Sequence, residues 1–198
     1  MSIKTAVSDH DILDSIKERW SPRAFSSRIP DAETLNRMFE AARWAASSDN
    51  EQPWRYLIAR LEDTEAHEKL ASCLFPGNAW ARKAPVLAMS VAALKFAKNG
   101  NVNRVAIHDV GAASAQLTAQ GLSMGVFVHQ MAGFDTEKAR KVCEIPPDFG
   151  PVAMIAIGYL GDANSLPEPL HTRELTPRER RPVREFVFSA TFGKTAAL

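Results

Sequence analysis

Apolar residues recur at Ile12, Leu13 and Ile16, the spacing of one helical face, so a helix is predicted over Asp11 to Trp20, interrupted by Ser21-Pro22. A second helix starts at Pro30-Asp31-Ala32-Glu33 with Asp31 as its cap, buries Leu35, Met38, Phe39 and Ala42, and ends near Ala46. Polar residues Ser47 to Pro53 then form a loop, and Trp54 to Ala59 reads as a strand. Thr64 to Leu74 is helical, Pro85 to Ala92 is a short apolar run, and Asn103 to Met124 is a long helix. Gly125 to Val128 predicts a short strand, Asp135 caps a helix through Val142, and Val152 to Tyr159 is the clearest buried strand. Strands and helices alternate without a strict βαβ rhythm.

The long helix carries Gly111, Ala112, Ala113, Ser114 and Ala115, small residues that permit close approach. They fit either a crowded core or a symmetric helix contact between subunits. From Gly161 to Arg184 the chain has prolines at 167, 169, 177 and 182, many charges and little periodicity, and Val183 to Phe188 turns apolar again. This predicts an extended arm ending in a sticky strand, suited to wrapping around a partner subunit.

A chain of 198 residues with 45% hydrophobic content can bury one full core, so a single domain over 1–198 is expected, its arm spanning about 161–198. The 24 basic residues against 23 acids leave a formal charge of +1, with no general excess for nucleic acid or an anionic membrane surface. Cys73 and Cys143 stand far apart in sequence without a CxxC or Cys/His cluster, which argues against a metal site or a disulfide framework. Lys4, Asp9, His10 and Asp11 occupy the place where a signal peptide needs an apolar core, and no run is long enough to span a bilayer. A cytoplasmic location is expected.

Two proline-stiffened basic clusters stand out: Arg19-Trp20-Ser21-Pro22-Arg23 and Pro177-Arg178-Glu179-Arg180-Arg181-Pro182. Guanidinium forks match phosphate oxygens, and a serine between arginines adds a compact donor. On composition alone a solvated face of surface arginines is the better fit.

Taken with the loop Ser47-Ser48-Asp49-Asn50-Glu51-Gln52-Pro53-Trp54, these clusters resemble the nitroreductase family along nearly the whole chain. Asp109 to Ala113 resembles the opening of that family's central helix, Gly121-Leu122 its end, Gly133-Phe134-Asp135 the turn after the flavin-contacting segment, and Ile157 to Tyr159 the last core strand. The resemblance implies an α+β fold with a mixed β-sheet flanked by helices, and an intertwined homodimer with exchanged C-terminal arms and FMN at the subunit interface. It implies that Arg19, Ser21, Arg178 and Arg180 hold the FMN phosphate, that Trp20 lies beside them, and that Arg23 sits near the pyrimidine edge as an electrostatic stabiliser. Ser47, Ser48, Asn50 and Gln52 would come from the partner subunit, while His129, Gln130, Met131 and Gly133 would run along the isoalloxazine, mainly through backbone. For His129, packing or ring stacking outweighs proton transfer.

The activity so implied is an NAD(P)H-dependent flavin oxidoreductase. NADPH or NADH, as transient donor, would pass hydride by a ping-pong route to a small electron-poor acceptor: a nitroaromatic, a quinone or a conjugated carbonyl. No side-chain nucleophile is required, because the flavin carries the chemistry. A semialdehyde or enone reductase of the same fold, a flavin-binding dimer for storage or sensing, and a cofactor-free structural domain remain the rival readings. Trp44, Phe75, Trp80, Phe96 and Phe127 are candidate pocket walls or plain core, and Phe75 to Trp80 a candidate mobile cover.

Overall fold

Alternation along two central strands sets the architecture of the computed structural model, which describes residues 3–197. Strands β1 (Trp54–Arg60), β2 (Val86–Ala93), β3 (Val126–Met131) and β4 (Phe149–Tyr159) form one sheet in the order β1-β2-β4-β3. Every pairing is antiparallel, so the mixed sheet expected from the sequence is corrected to an antiparallel one. Val86 and Ala88 of β2 face one side with Ile155 and Ile157 of β4; Leu87 and Met89 face the other with Met154 and Ala156. Both sides are covered, which is why these strands read as continuous apolar runs rather than half-polar ones.

Helices α2 (Ala32–Arg43) and α4 (Ala106–Ser123) cover the first side, with Leu35, Met38, Ala113 and Leu117 in the shared core. Helices α3 (Thr64–Ala71) and α5 (Thr136–Val142) cover the second, through Leu70, Ala71 and Ala139. Asp31 and Asp135 cap α2 and α5 as their spacing predicts, accepting from the backbone N–H of Thr34 and Lys138. Cys73 and Cys143, distant in sequence, meet in the second core, both as free thiols.

The ends of the chain depart most from expectation. The first helix, α1, spans only Asp14–Glu18, and Arg19 leaves it in an extended conformation. Gly161 lets the chain after β4 cross the segment after α1 closely: a Cβ there would lie 2.5 Å from the backbone carbon of Phe25. Helix α6 (Leu170–Leu175) follows inside the supposed arm; its Glu174, and Arg178 just beyond it, bond back to the 17–24 stretch of the same chain. Val183 to Phe188 is not a strand: Val183–Glu185 makes a 3-10 turn, with Phe188 bridging only to Thr195. An apolar run without sheet neighbours in its own chain has no ladder to join. Residues 1, 2 and 198, at the bounds of the expected domain and arm, lie outside the described residues. Among the described residues no helix is long and apolar enough to cross a membrane.

Candidate functional site

Between α1, α4 and β3 opens a cleft of about 380 Å³, lined by Ser15, Ile16, Arg19, Ser21, Ala115, Thr118, Ala119, Val128 and Gln130. Two alternations aim its polar groups. In the extended stretch after α1, Arg19 and Ser21 share one side, and Arg19 Nη1 donates to Ser21 Oγ at 3.3 Å. Trp20 turns the other way, edge-on to Phe127, with Lys4 over its ring. In β3, Val128 and Gln130 face the cleft while Phe127, His129 and Met131 face the opposite side of the sheet, as a period of two requires.

His129 is therefore held away from the cleft, with Nδ1 donating to the Pro22 carbonyl at 2.8 Å and the ring 4.7 Å from that of Trp80. Burial pushes its pKa down to about 4, and Arg23 and Arg19 push the same way, so the ring is neutral at pH 7. Met131 is buried in the second core. Of the residues 129 to 131 only Gln130 presents a side chain to the cleft; the other two offer backbone from a strand at the sheet edge. Gly133 is in contact with Asn78, whose Nδ2 donates to the Gly133 carbonyl at 3.0 Å. This bond, with Phe75 N–H donating to the same carbonyl and Trp80 packed between Phe25 and His129, anchors the 75–80 segment that sequence reasoning read as a mobile cover.

At the cleft mouth three guanidinium groups gather. Arg178 donates from Nε to the Lys4 carbonyl (2.6 Å), from Nη1 to that of Arg19 (2.5 Å) and from Nη2 to that of Lys17 (2.6 Å), bracing the exit of α1. Burial, then Arg180, lowers the pKa of Arg19; burial, then Arg19 and Arg180, lowers that of Arg178. None of the three is paired with a carboxylate at salt-bridge distance among the described residues. Mutually destabilising positive charges, a hydroxyl between them and two N–H groups of Arg178 still unassigned form a donor set that suits a phosphate. Arg23 stands apart from the cleft lining, 3.7 Å from the Glu174 carboxylate and over the Trp80 ring at 6.0 Å.

The Ser47–Gln52 loop is not in this cleft. Ser48 N–H donates to Asp109 Oδ2 at 3.0 Å near the start of α4, whereas the cleft meets α4 at Ala115, Thr118 and Ala119, beginning about 9 Å further along at 1.5 Å per residue. Asp49, Asn50 and Gln52 all have positive φ, near 50°, a conformation that costs a side-chain-bearing residue on the order of 1 kcal/mol or more. Asp109, a salt bridge from Lys98 to Asp49 and the Ala97 N–H donating to Glu51 hold it there. Ser47 Oγ accepts from Gln52 N–H inside the loop; the side chains of Asn50 and Gln52 are exposed.

The model of the nitroreductase family matches residues 16–159 of this sequence. The chain belongs to the nitroreductase family. A solved structure of an oxidoreductase containing FMN is 31% identical to it, covers 96% of both chains and superposes with a TM-score of 0.89. A 15.4 kDa uncharacterized protein of Mycolicibacterium smegmatis is 35% identical over 65% of this chain and 86% of its own length. A putative NADH dehydrogenase/NAD(P)H nitroreductase of Methanothermobacter thermautotrophicus is 27% identical over 77% and 79%. In this nitroreductase-family chain the matched stretch contains Arg19, Ser21, Arg23, the Ser47–Gln52 loop and β3, and stops short of Arg178 and Arg180. Sequence reasoning missed Glu174, Lys4 and the anchoring part of Asp109. Glu174 and Lys4 are single charges in charge-rich segments, with no periodicity to mark them as buried, and Asp109 was legible only as the opening of the family's central helix.

Proposed function

We propose that this chain is an FMN-dependent NAD(P)H oxidoreductase, working in the cytoplasm as a homodimer with an acceptor that is small and electron-poor. The observation that carries this reading is the uncompensated Arg19, Arg178 and Arg180 cluster around Ser21 at the mouth of a cleft floored by β3. The relatives' names support the flavin and the nicotinamide donor.

Bound FMN supplies hydride acceptance and donation, as flavins do. Arg19 and Ser21 hold its phosphate, Arg178 keeps the Arg19 carbonyl in place while its remaining N–H groups reach the same anion, and Gln130 lines the floor. Arg23 supplies positive charge toward the pyrimidine edge, which favours the negative charge gained on reduction. Donor and acceptor use one space in turn, a ping-pong route, and the acceptor is a nitroaromatic, a quinone or a conjugated carbonyl.

A dimer explains the stranded loop. Along α4 the residues Ile107, Gly111, Ala115 and Ala119 face outward at helical spacing, and a Cβ added to Gly111 would meet nothing within 4 Å. Two such helices crossing antiparallel about a two-fold axis between Gly111 and Ala115 place position 109 of one beside 117 of the other. The loop tied to Asp109 then reaches the other subunit's cleft. The exposed Phe186 and Phe192 in the chain after α6 fit an arm that covers the partner.

An anaerobic titration with FMN and NADPH, followed by a quinone and then a nitroaromatic, tests the reading. Bleaching of the flavin band and its return on adding either acceptor are expected. FMN uptake without bleaching by either nicotinamide would leave a storage or sensing protein, and no uptake would return the arginines to a solvated surface.

A further inference from the structure

Glu174 lies beyond the stretch that the family model matches, on α6, and is 3% exposed. A buried carboxylate needs a reason, because leaving water is costly unless charge and hydrogen bonds replace it. Its Oε1 accepts from the backbone N–H of Arg23 (2.8 Å) and of Ala24 (2.9 Å). Its Oε2 has no hydrogen-bond partner among the described residues and faces Arg23 Nη1 at 3.7 Å. Lys4, also buried, is close enough for Glu174 to raise its pKa against the larger lowering by burial. The carboxylate thus grips the backbone of residues 23 and 24 with one oxygen and addresses the Arg23 guanidinium with the other. From the opposite side Arg178 grips the carbonyls of Lys17 and Arg19, so the start of the arm brackets the whole 19–24 segment.

Building on the flavin reading above, we propose that Glu174 is a positioning residue of that site: it fixes the Pro22–Ala24 turn, orients Arg23 and offsets part of its charge. Arg23 then acts on a bound flavin with a tempered positive potential, and the arm of each subunit sets the electrostatics of that subunit's own cleft. A neutral side chain at 174 leaves the guanidinium uncompensated, which favours the extra negative charge of reduction.

Two measurements decide this. Amide hydrogen exchange on the protein as purified needs no assumption about the flavin: in Glu174→Ala, or in Glu174→Leu should the alanine variant not fold, exchange at Arg23 and Ala24 is expected to quicken at least about tenfold, with the Ser47–Gln52 loop unchanged. Equal rates in parent and variant overturn the positioning role. With FMN bound, Glu174→Gln is expected to raise the ratio of reduced to oxidised flavin at a fixed ambient potential by about tenfold, and by less than about twofold in an Arg23→Gln background. An unchanged ratio, or the same rise in both backgrounds, overturns action through Arg23. If the native protein takes up no FMN, the functional reading falls by itself, and the exchange result still decides whether Glu174 holds the turn.

Discussion

The Arg19–Arg23 segment and the Ser47–Gln52 loop are two motifs that carry this chain's likeness to the nitroreductase family, and they are built in opposite ways. The first is held from both sides by its own chain, through Arg178 on its carbonyls and Glu174 on its N–H groups, and its Arg19 and Ser21 line a cleft. The second is strained at three residues, fastened to the far end of α4, and exposes Asn50 and Gln52, whose side-chain contact among the described residues is the bond from Gln52 Nε2 to the Asn50 carbonyl inside the loop. Strain of that kind persists only where surrounding structure enforces it. The difference teaches that one motif is completed within its own chain, while the other is left exposed, as the proposed dimer requires.

The largest test breaks the neighbour. Gly111 faces outward with open space around it, so Gly111→Glu leaves the monomer's packing intact while setting a charge against the proposed two-fold contact. Size-exclusion chromatography with FMN titration is expected to show monomers and at least about a hundredfold loss of affinity; dimers with parental affinity would remove the shared site.

The support beneath the first motif has its own signature in pH. His129 donates to the Pro22 carbonyl and, in the folded chain, titrates at about 4 against an ordinary 6.5. Between those values the unfolded chain binds the extra proton, so stability is fully present above about pH 6.5 and is lost as pH falls toward about 4. The loss attributable to this residue is about 2 to 3 kcal/mol. Denaturant unfolding at pH 7 and pH 4.5, in parent and His129→Gln, reads it: the parent should lose more stability than the variant, and equal losses would show that His129 is not the group responsible.

Arg19→Ala separates anion binding from scaffolding. Removing one charge-assisted contact of roughly 1.5 to 3 kcal/mol should weaken FMN by one to two decades, since Arg178 grips the backbone carbonyl of Arg19, which alanine keeps. Unchanged affinity would displace the phosphate from this cluster. Asp109→Ala should be milder, about 1 kcal/mol or roughly fivefold in FMN affinity, with faster amide exchange confined to the loop and none at residues 19–24. Exchange spreading to Arg19–Arg23 would mean that the two motifs are one unit after all.

Much of this was legible in the sequence because it depends on local chemistry. Asp31 and Asp135 announce their helices, and the apolar run at Val152–Tyr159 announces a strand covered on both faces. Strand order and direction depend on which distant segments meet, which no periodicity reports, and there the mixed sheet became antiparallel. Val183 to Phe188 has the composition of a strand but, among the described residues, joins no strand of the sheet. In the site, Arg19 and Ser21 were expected from the family resemblance and line the cleft, whereas Trp20, His129 and Met131 sit one residue out of phase and turn from it. A one-residue change of phase reverses the face in an extended chain. The brace Glu174 comes from about 150 residues away and carries no local mark, and Arg178 was marked by its basic cluster as a phosphate ligand, not as a brace on distant backbone carbonyls.

Native mass spectrometry of the protein mixed with FMN over a dilution series tests most directly the proposed flavin site that one subunit cannot finish. Two FMN on every dimer and none on monomers, with flavin lost in step with dissociation, is the expected result; monomers that keep one FMN each would contradict it.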